Sequence, residues 1–219
     1  MARSYPLSAA AFFGGLRIAE MALDLGAAVQ SSRTRGGEVI TAALGNRIWA
    51  GSAAIWRDDN SPMDAIRADL FAMSQPGASF MITPLHRSGP QADPEGTILG
   101  AATPVLHSIA ANRREMRISG LPPAYEIRKG DYLSIAYGSG PVRYWFGQVV
   151  VAATADGAGL TPLLEFVPPL PAAVTTTLVV TLVQPAFKAV MVPGSITAGT
   201  IRRVKTGGLS FNFTQTFGQ

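Results

Sequence analysis

With 219 residues, a mass of 23.0 kDa and 47% hydrophobic residues, the chain is long enough for one large domain or two small intertwined ones. It contains no cysteine, which excludes disulfide staples, thiol nucleophiles and thiolate metal sites. Charged residues make up only 15% against a usual value of about 25%, so a neutral Ser/Thr surface or burial against neighbouring copies must cover the remainder.

The first residues carry one cation, Arg3, ahead of the apolar run Ala9-Ala10-Ala11-Phe12-Phe13. Gly14-Gly15, Arg17 and Glu20 cut that run short of a secretion signal, and no apolar stretch reaches the roughly 18 residues a membrane span needs. The reading is a soluble protein made in a cytoplasm. Leu16, Ile18, Met21, Leu23 and Leu25 fit one or two strands around a break. Glu38–Leu44 and Arg47–Trp56 predict a hairpin closed near Gly45-Asn46.

One segment has helix grammar, over about 61–74. Ser61 is the expected N-cap, Pro62 the first helical position, and Asp64 completes a capping-box spacing. Met63, Ile66, Leu70 and Met73 follow at helical intervals until Pro76-Gly77 stops them. Ala78–Thr83 then predicts a short apolar strand, and Pro84–Thr97 a turn-forming loop.

Strands are predicted at Met116–Ser119, Tyr132–Tyr137, Val142–Ala153 and Thr161–Val167, separated by glycine-bearing turns and closed by Pro168-Pro169-Leu170-Pro171. Val174–Val183, Phe187–Val192, Thr200–Val204 and Leu209–Phe217 supply the rest. In the last of these, Leu209, Phe211, Phe213 and Phe217 alternate with Ser210, Asn212, Thr214 and Thr216, the period of a half-buried strand. The predicted fold is mainly β: a β-barrel or sandwich core from 1–105 and 171–219 with one short helix, and an inserted small β-barrel at 106–170.

Residues with catalytic chemistry are sparse. His86 and His107 have no partner at metal-ligand spacing. Asp58-Asp59-Asn60 lacks the spaced oxygens of a calcium loop, and Glu165 stands alone in an apolar strand. Ser139 and Ser195 lack a nucleophile-elbow frame, and Gly36-Gly37 and Gly207-Gly208 read as hairpin turns rather than phosphate cradles. No catalytic, cofactor-binding or metal site is predicted. The net charge of +4 is carried mainly by arginine, in scattered groups at Arg33/Arg35, Arg113/Arg114/Arg117 and Arg202/Arg203/Lys205. Scattering argues against direct nucleic-acid recognition, and arginine's planar fork suits fixed ion pairs between subunits.

Taken in order, several segments resemble a family of short tail proteins from long-tailed bacteriophages and gene-transfer particles. The likeness rests on the turn Arg33-Thr-Arg35-Gly-Gly-Glu38, on Leu44-Gly-Asn-Arg-Ile-Trp-Ala-Gly51, the helix Pro62–Ser74 and Pro76-Gly-Ala-Ser-Phe80. It continues through Pro90–Gly96, Gly120–Tyr125, Lys129–Ile135 and the closing Ser210–Thr216. Order and spacing carry it, since each motif is a simple turn-and-strand signature. The family it most resembles is the distal tail protein. The resemblance implies a tail-tube-like β core, a hexameric ring joining the tail tube protein to the baseplate hub protein, and a place in the virion at the tail tip. No catalytic residues carry over.

Arg33, Arg35, Trp49, Trp56, Arg202 and Arg203 are the candidate subunit-interface residues. Other readings are a different tail component (tube, terminator or hub subunit), or a carbohydrate- or cell-surface-binding module using Trp49, Trp56 and Trp145. A hydrolase would have to assemble Glu165, Asp131 and His107 from distant positions.

Overall fold

The computed structural model describes residues 3–27, 29–43 and 45–218; Leu44, predicted to end a strand, lies outside them. The protein is mainly β with one α-helix, as the alternation predicts. Ile18–Leu25 (β1) continues into Val29–Arg33 (β2), turns, and returns as Val39–Ala43 (β3) and Trp49–Ile55 (β4). β1 pairs antiparallel with β4 from Ile18↔Ile55 to Leu25↔Trp49, and β2 with β3 from Val29↔Ala43 to Arg33↔Val39.

The predicted hairpin between 38–44 and 47–56 is therefore corrected. Both segments belong to the returning side of one long hairpin, whose turn lies at Thr34–Gly37, with Gly37 at φ +87°. Gly45-Asn46 lies between β3 and β4. Arg47, which follows them, clips this side of the hairpin to the other, donating from Nε to the Gly26 carbonyl (3.1 Å) and from Nη2 to the Leu25 carbonyl (2.8 Å). A local turn signal thus yields to a long-range clip.

Asp58–Asp59 (β5) leads into the helix Asn60–Met73 (α1). Asp59 occupies the N-cap position and the Ser61 capping box does not form. The reason lies in Asn60, whose side chain is engaged elsewhere. Its Nδ2 donates to the Arg202 carbonyl (3.0 Å) and its Oδ1 accepts from Thr206 Oγ1 (2.8 Å). Met63, Leu70 and Met73 are buried, as the helical spacing predicts.

The remaining strands are Phe80–Ile82 (β6), Val105–Ile109 (β7), Glu115–Ser119 (β8), Glu126–Ile127 (β9), Tyr132–Tyr137 (β10), Arg143–Val149 (β11) and Ala153–Thr154 (β12). They are followed by Leu164–Val167 (β13), Val180–Thr181 (β14), Phe187–Met191 (β15), Thr197–Ile201 (β16) and Lys205–Gln215 (β17). The first sheet has the order β1-β4-β17-β15-β6, with β5 and β16 also on β17. The second runs β14-β10-β11-β13-β8-β7. It nearly closes into a barrel through a Val105↔Val179 bridge and the bond from Leu106 N–H to the Leu178 carbonyl (2.8 Å).

Each sheet has its own core. Phe12, Phe13, Met63, Leu70, Phe80, Phe187, Phe211 and Phe213 pack in the first, and Leu106, Ile118, Leu133, Trp145, Leu164 and Phe166 in the second. Leu99, Val174, Val180 and Leu182 also join the second core, so the barrel recruits residues on both sides of the predicted 106–170 segment. Val174–Val183 supplies only β14, and supplies it to the barrel rather than to the first layer. Arg113 fastens this stretch, donating from Nε to the Leu170 carbonyl (2.9 Å) and from Nη2 to the Val174 carbonyl (2.8 Å).

β11 joins the two cores because its neighbouring side chains point to opposite faces. Trp145 enters the barrel, while Phe146 enters the first core between Tyr132 (ring centroids 5.3 Å apart), Trp49 (5.4 Å) and Phe187 (5.0 Å). Gln215 sits on the apolar face of β17, where its amide bridges both units. Its Oε1 accepts from Trp49 N–H (3.2 Å) and its Nε2 donates to the Tyr144 carbonyl (3.1 Å).

Gly51 keeps β4 close to its neighbours: an added Cβ would lie 2.1 Å from the Ala22 carbonyl oxygen and 2.7 Å from Phe213 Cζ. Gly51→Ala is expected to destabilise the protein by about 1–3 kcal/mol, the usual cost of overpacking, measured by chemical denaturation.

Candidate functional site

The surface of the first sheet holds the features best placed for contact with another molecule. Ser210 of β17 pairs with Ala54 of β4 on one side and with Thr197 of β16 on the other. At this level the sheet is β1-β4-β17-β16, and among the described residues neither β1 nor β16 has a second strand beside it. Such edges offer unpaired backbone groups to a further strand.

Alternation sorts the side chains of β1. Met21, Leu23 and Leu25 pack partly against the first core, while Glu20, Ala22 and Asp24 are exposed. The solvent side of the sheet is lined with small residues: Ala22, Ser52, Ala54, Ser210 and Asn212 border a shallow depression of about 270 Å³ with Glu20. Behind the β1 edge, Ile18, Met21 and Leu23 meet Pro84, Leu85 and Tyr132 around a cleft of about 470 Å³. The His86 ring stands edge-on to Tyr132 there, 5.8 Å between centroids.

At the other end of β17 a second cleft, about 240 Å³, is lined by Arg57, Thr200, Arg202, Lys205, Gly207 and Gly208. Helix α1 positions this corner. Its first residue, Asn60, donates to the Arg202 carbonyl from its side chain and to the Val204 carbonyl from its backbone N–H (3.2 Å). The exposed hydrophobic residues Trp56, Ile201 and Val204 adjoin these basic residues in the chain.

The six predicted interface residues separate into three places. Arg33 and Arg35 lie exposed at the tip of the β2–β3 arm. Every residue of β2 is exposed, and Val39 and Ile40 of β3 are about half exposed. Trp56, Arg202 and Arg203 are exposed at the basic corner. Trp49 is corrected: it is 4% exposed, and its Nε1 donates to the Phe146 carbonyl (2.8 Å) at the junction of the two cores. Its apolar position on the inward face of β4 decides this.

The dispersed acid-base residues have separate surroundings. Asp131 is buried in the turn before β10, accepting from the N–H of Gln91 (2.9 Å) and of Arg128 (2.7 Å). Glu165 lines a cleft with Arg47 and Arg114, and His107 is exposed on β7. Among the described residues, no group of three or more His, Asp or Glu side chains is arranged to hold a metal, and no helix is long and apolar enough to cross a membrane. Lys188 is buried in β15, where burial and then Arg143 lower its pKa; its Nζ donates to the Val142 carbonyl at 3.4 Å.

The sequence marks Lys205 only as part of the basic group Arg202/Arg203/Lys205, and does not mark Arg57, Glu20 or Asp24 as contact residues. The acids had a usable signal, since they occupy the polar phase of the alternating segment 18–25. Arg57 had none, because its neighbours in the cleft come from the far end of the chain.

No protein-family model matches the chain, and no curated protein matches it.

The loop behind the β1 cleft depends on a buried carboxylate. Burial of Asp93 opposes its ionisation, but the N–H groups of Leu99 (2.8 Å) and Ile98 (3.1 Å), Thr97 and the Tyr125 hydroxyl outweigh it and lower the pKa. A lowered pKa in the folded state contributes stability that is complete above the ordinary value of about 4 and is lost as pH falls through the folded value. Denaturation measured from pH 6 downward should show this acid loss, and Asp93→Asn should remove its share of the slope.

Proposed function

We propose that this protein is a structural subunit of a bacteriophage tail, a distal tail protein whose copies close into a ring between the tail tube and the baseplate hub. The observation that carries the reading is that β1 and β16, each paired on one side, leave the other side open among the described residues. A ring needs two different surfaces on each subunit that meet head to tail, and two open edges of one sheet supply such a pair. Strand addition there satisfies backbone groups that otherwise invite uncontrolled association.

Surface area supports the same reading. The chain exposes 11650 Å², whereas a compact monomer of its mass exposes roughly 9,600 Å². The excess is comparable to what two interfaces of ordinary size remove from one subunit, at about 800 Å² each. The β2–β3 arm adds to it: a two-stranded hairpin is marginally stable alone, and this one holds exposed apolar residues beyond the sheet. The resemblance of the ordered motifs to distal tail proteins supplies the particular assembly, with six copies per ring, the tube protein on one side and the hub protein on the other. The role is mechanical and needs no catalysis. A tail-tube or terminator subunit would use the same edges. The carbohydrate-binding reading loses two of its three tryptophans, since Trp49 and Trp145 are buried and only Trp56 presents its ring.

Particle imaging with the chain labelled tests the proposal. One ring of label where the tube meets the baseplate is the expected result. Label along the whole tube would make it a tube subunit, and particles free of label would overturn a tail role.

A further inference from the structure

Acids and bases that make no ion pair among the described residues occupy different parts of the first sheet. Glu20 and Asp24 are exposed on β1, and neither makes an ion pair among the described residues. Arg202 and Lys205 at the β16–β17 hairpin and Arg57, which follows β4, line one small cleft, and these too make no ion pair among the described residues. By contrast, the nearby Arg17 is paired with Asp58. Asp59 stands opposite Lys205 in the β5–β17 register without closing an ion pair, so three cations gather around one nearby acid, and a further anion in the cleft relieves the remaining repulsion.

The backbone is shaped for this. A Cβ at position 207 would lie 3.1 Å from Arg57 Cβ and 3.2 Å from Cγ, so glycine there lets the arginine stem lie against β17. Gly208, at φ +80°, shifts the alternation of β17, so that Thr206 and Leu209 both face inward while Lys205 stays exposed. The hairpin from β16 to β17 closes with Arg202 N–H on the Lys205 carbonyl (2.9 Å), which keeps those two residues together.

Resting on the ring reading above, we infer that the basic corner around this cleft receives Glu20 and Asp24 of a second copy, one acid at the cleft and the other farther along the strand, the β1 edge of one subunit lying beside the β16 edge of the next. The acids stand two alternate positions apart, about 13 Å along a strand, so they reach successive points of an adjoining strand rather than one. Apolar surface accompanies charge on each side: Ile18, Met21, Leu23 and Leu85 by the acidic edge, and Ile201, Val204 and Trp56 by the basic one. Charge then fixes which edge meets which, because two acidic edges or two basic edges repel.

Exchange of charges tests this. Glu20→Lys with Asp24→Lys makes one variant, and Arg57→Glu, Arg202→Glu and Lys205→Glu together make the other. Sedimentation and light scattering of the full chain should show wild-type assembly that weakens with added sodium chloride. Each variant alone should associate at least about tenfold more weakly. An equimolar mixture should regain assembly, because each variant supplies the charge that the other lost; that rescue also shows both are folded. Variants that assemble like wild type overturn the pairing and leave the ring reading standing. A wild-type chain that stays monomeric at low salt overturns the pairing; label in the particle would then preserve the tail reading, and its absence would end both. Inorganic phosphate or a DNA oligonucleotide bound in the cleft of the assembled wild type would also overturn it, identifying a free anion as the occupant.

Discussion

The arrangement of the molecule depends on the contact between Trp49 and Phe146. Trp49 belongs to the first sheet and Phe146 to the barrel, yet the two rings meet edge to face and the indole N–H donates to the Phe146 carbonyl. Tyr132 and Phe187 close around Phe146, and Gln215 binds the backbone of both units from the end of β17. Aromatic burial supplies most of the attraction, and the hydrogen bonds set the orientation because a buried donor or carbonyl left unpaired costs about 1–3 kcal/mol. The barrel is thus held on one side of the first sheet, packed against its apolar face.

That placement leaves the opposite face of the first sheet in solvent. Its residues are small and polar, so neighbouring strands are held by backbone pairing and by the packing beneath them. With one face covered by the barrel and helix, the sheet leaves open its small-residue face, its edges and the β2–β3 arm. Acids on β1 and bases at the β16–β17 corner are the charges that the proposed assembly would use to give those openings direction. Hydrophobic surface is non-directional; in the assembly proposed above it is the charges that would select unlike edges, the condition for a closed ring rather than a disordered cluster.

Loops are ordered by buried carboxylates of different kinds. Asp131 and Asp93 both accept from backbone N–H groups, tying the segment 84–99 to the barrel behind the β1 cleft. Both lie in stretches that the sequence marks only as turns. Buried acids of this type stand out as chemistry in a sequence, and their hydrogen bonds make them structural.

The sequence by itself determined the local order. The alternation predicted over Leu209–Phe217 named the buried face of β17 through Leu209, Phe211 and Phe213, although the strand ends at Gln215 and Phe217 lies outside it; the spacing of Met63, Leu70 and Met73 named the buried face of α1, and most strands lie near their expected positions. What period-2 alternation specifies is a face, not a neighbour. Gly45-Asn46 therefore suggested a hairpin, where the clip by Arg47 and the pairing of β1 with β4 built a longer one. Only the tertiary structure decided that Val180 joins the barrel, that adjacent Trp145 and Phe146 serve different cores, and that Arg57 faces Lys205. These are contacts between segments far apart in the chain, selected by register and by the volume left between packed sheets, and no local pattern of residues encodes either.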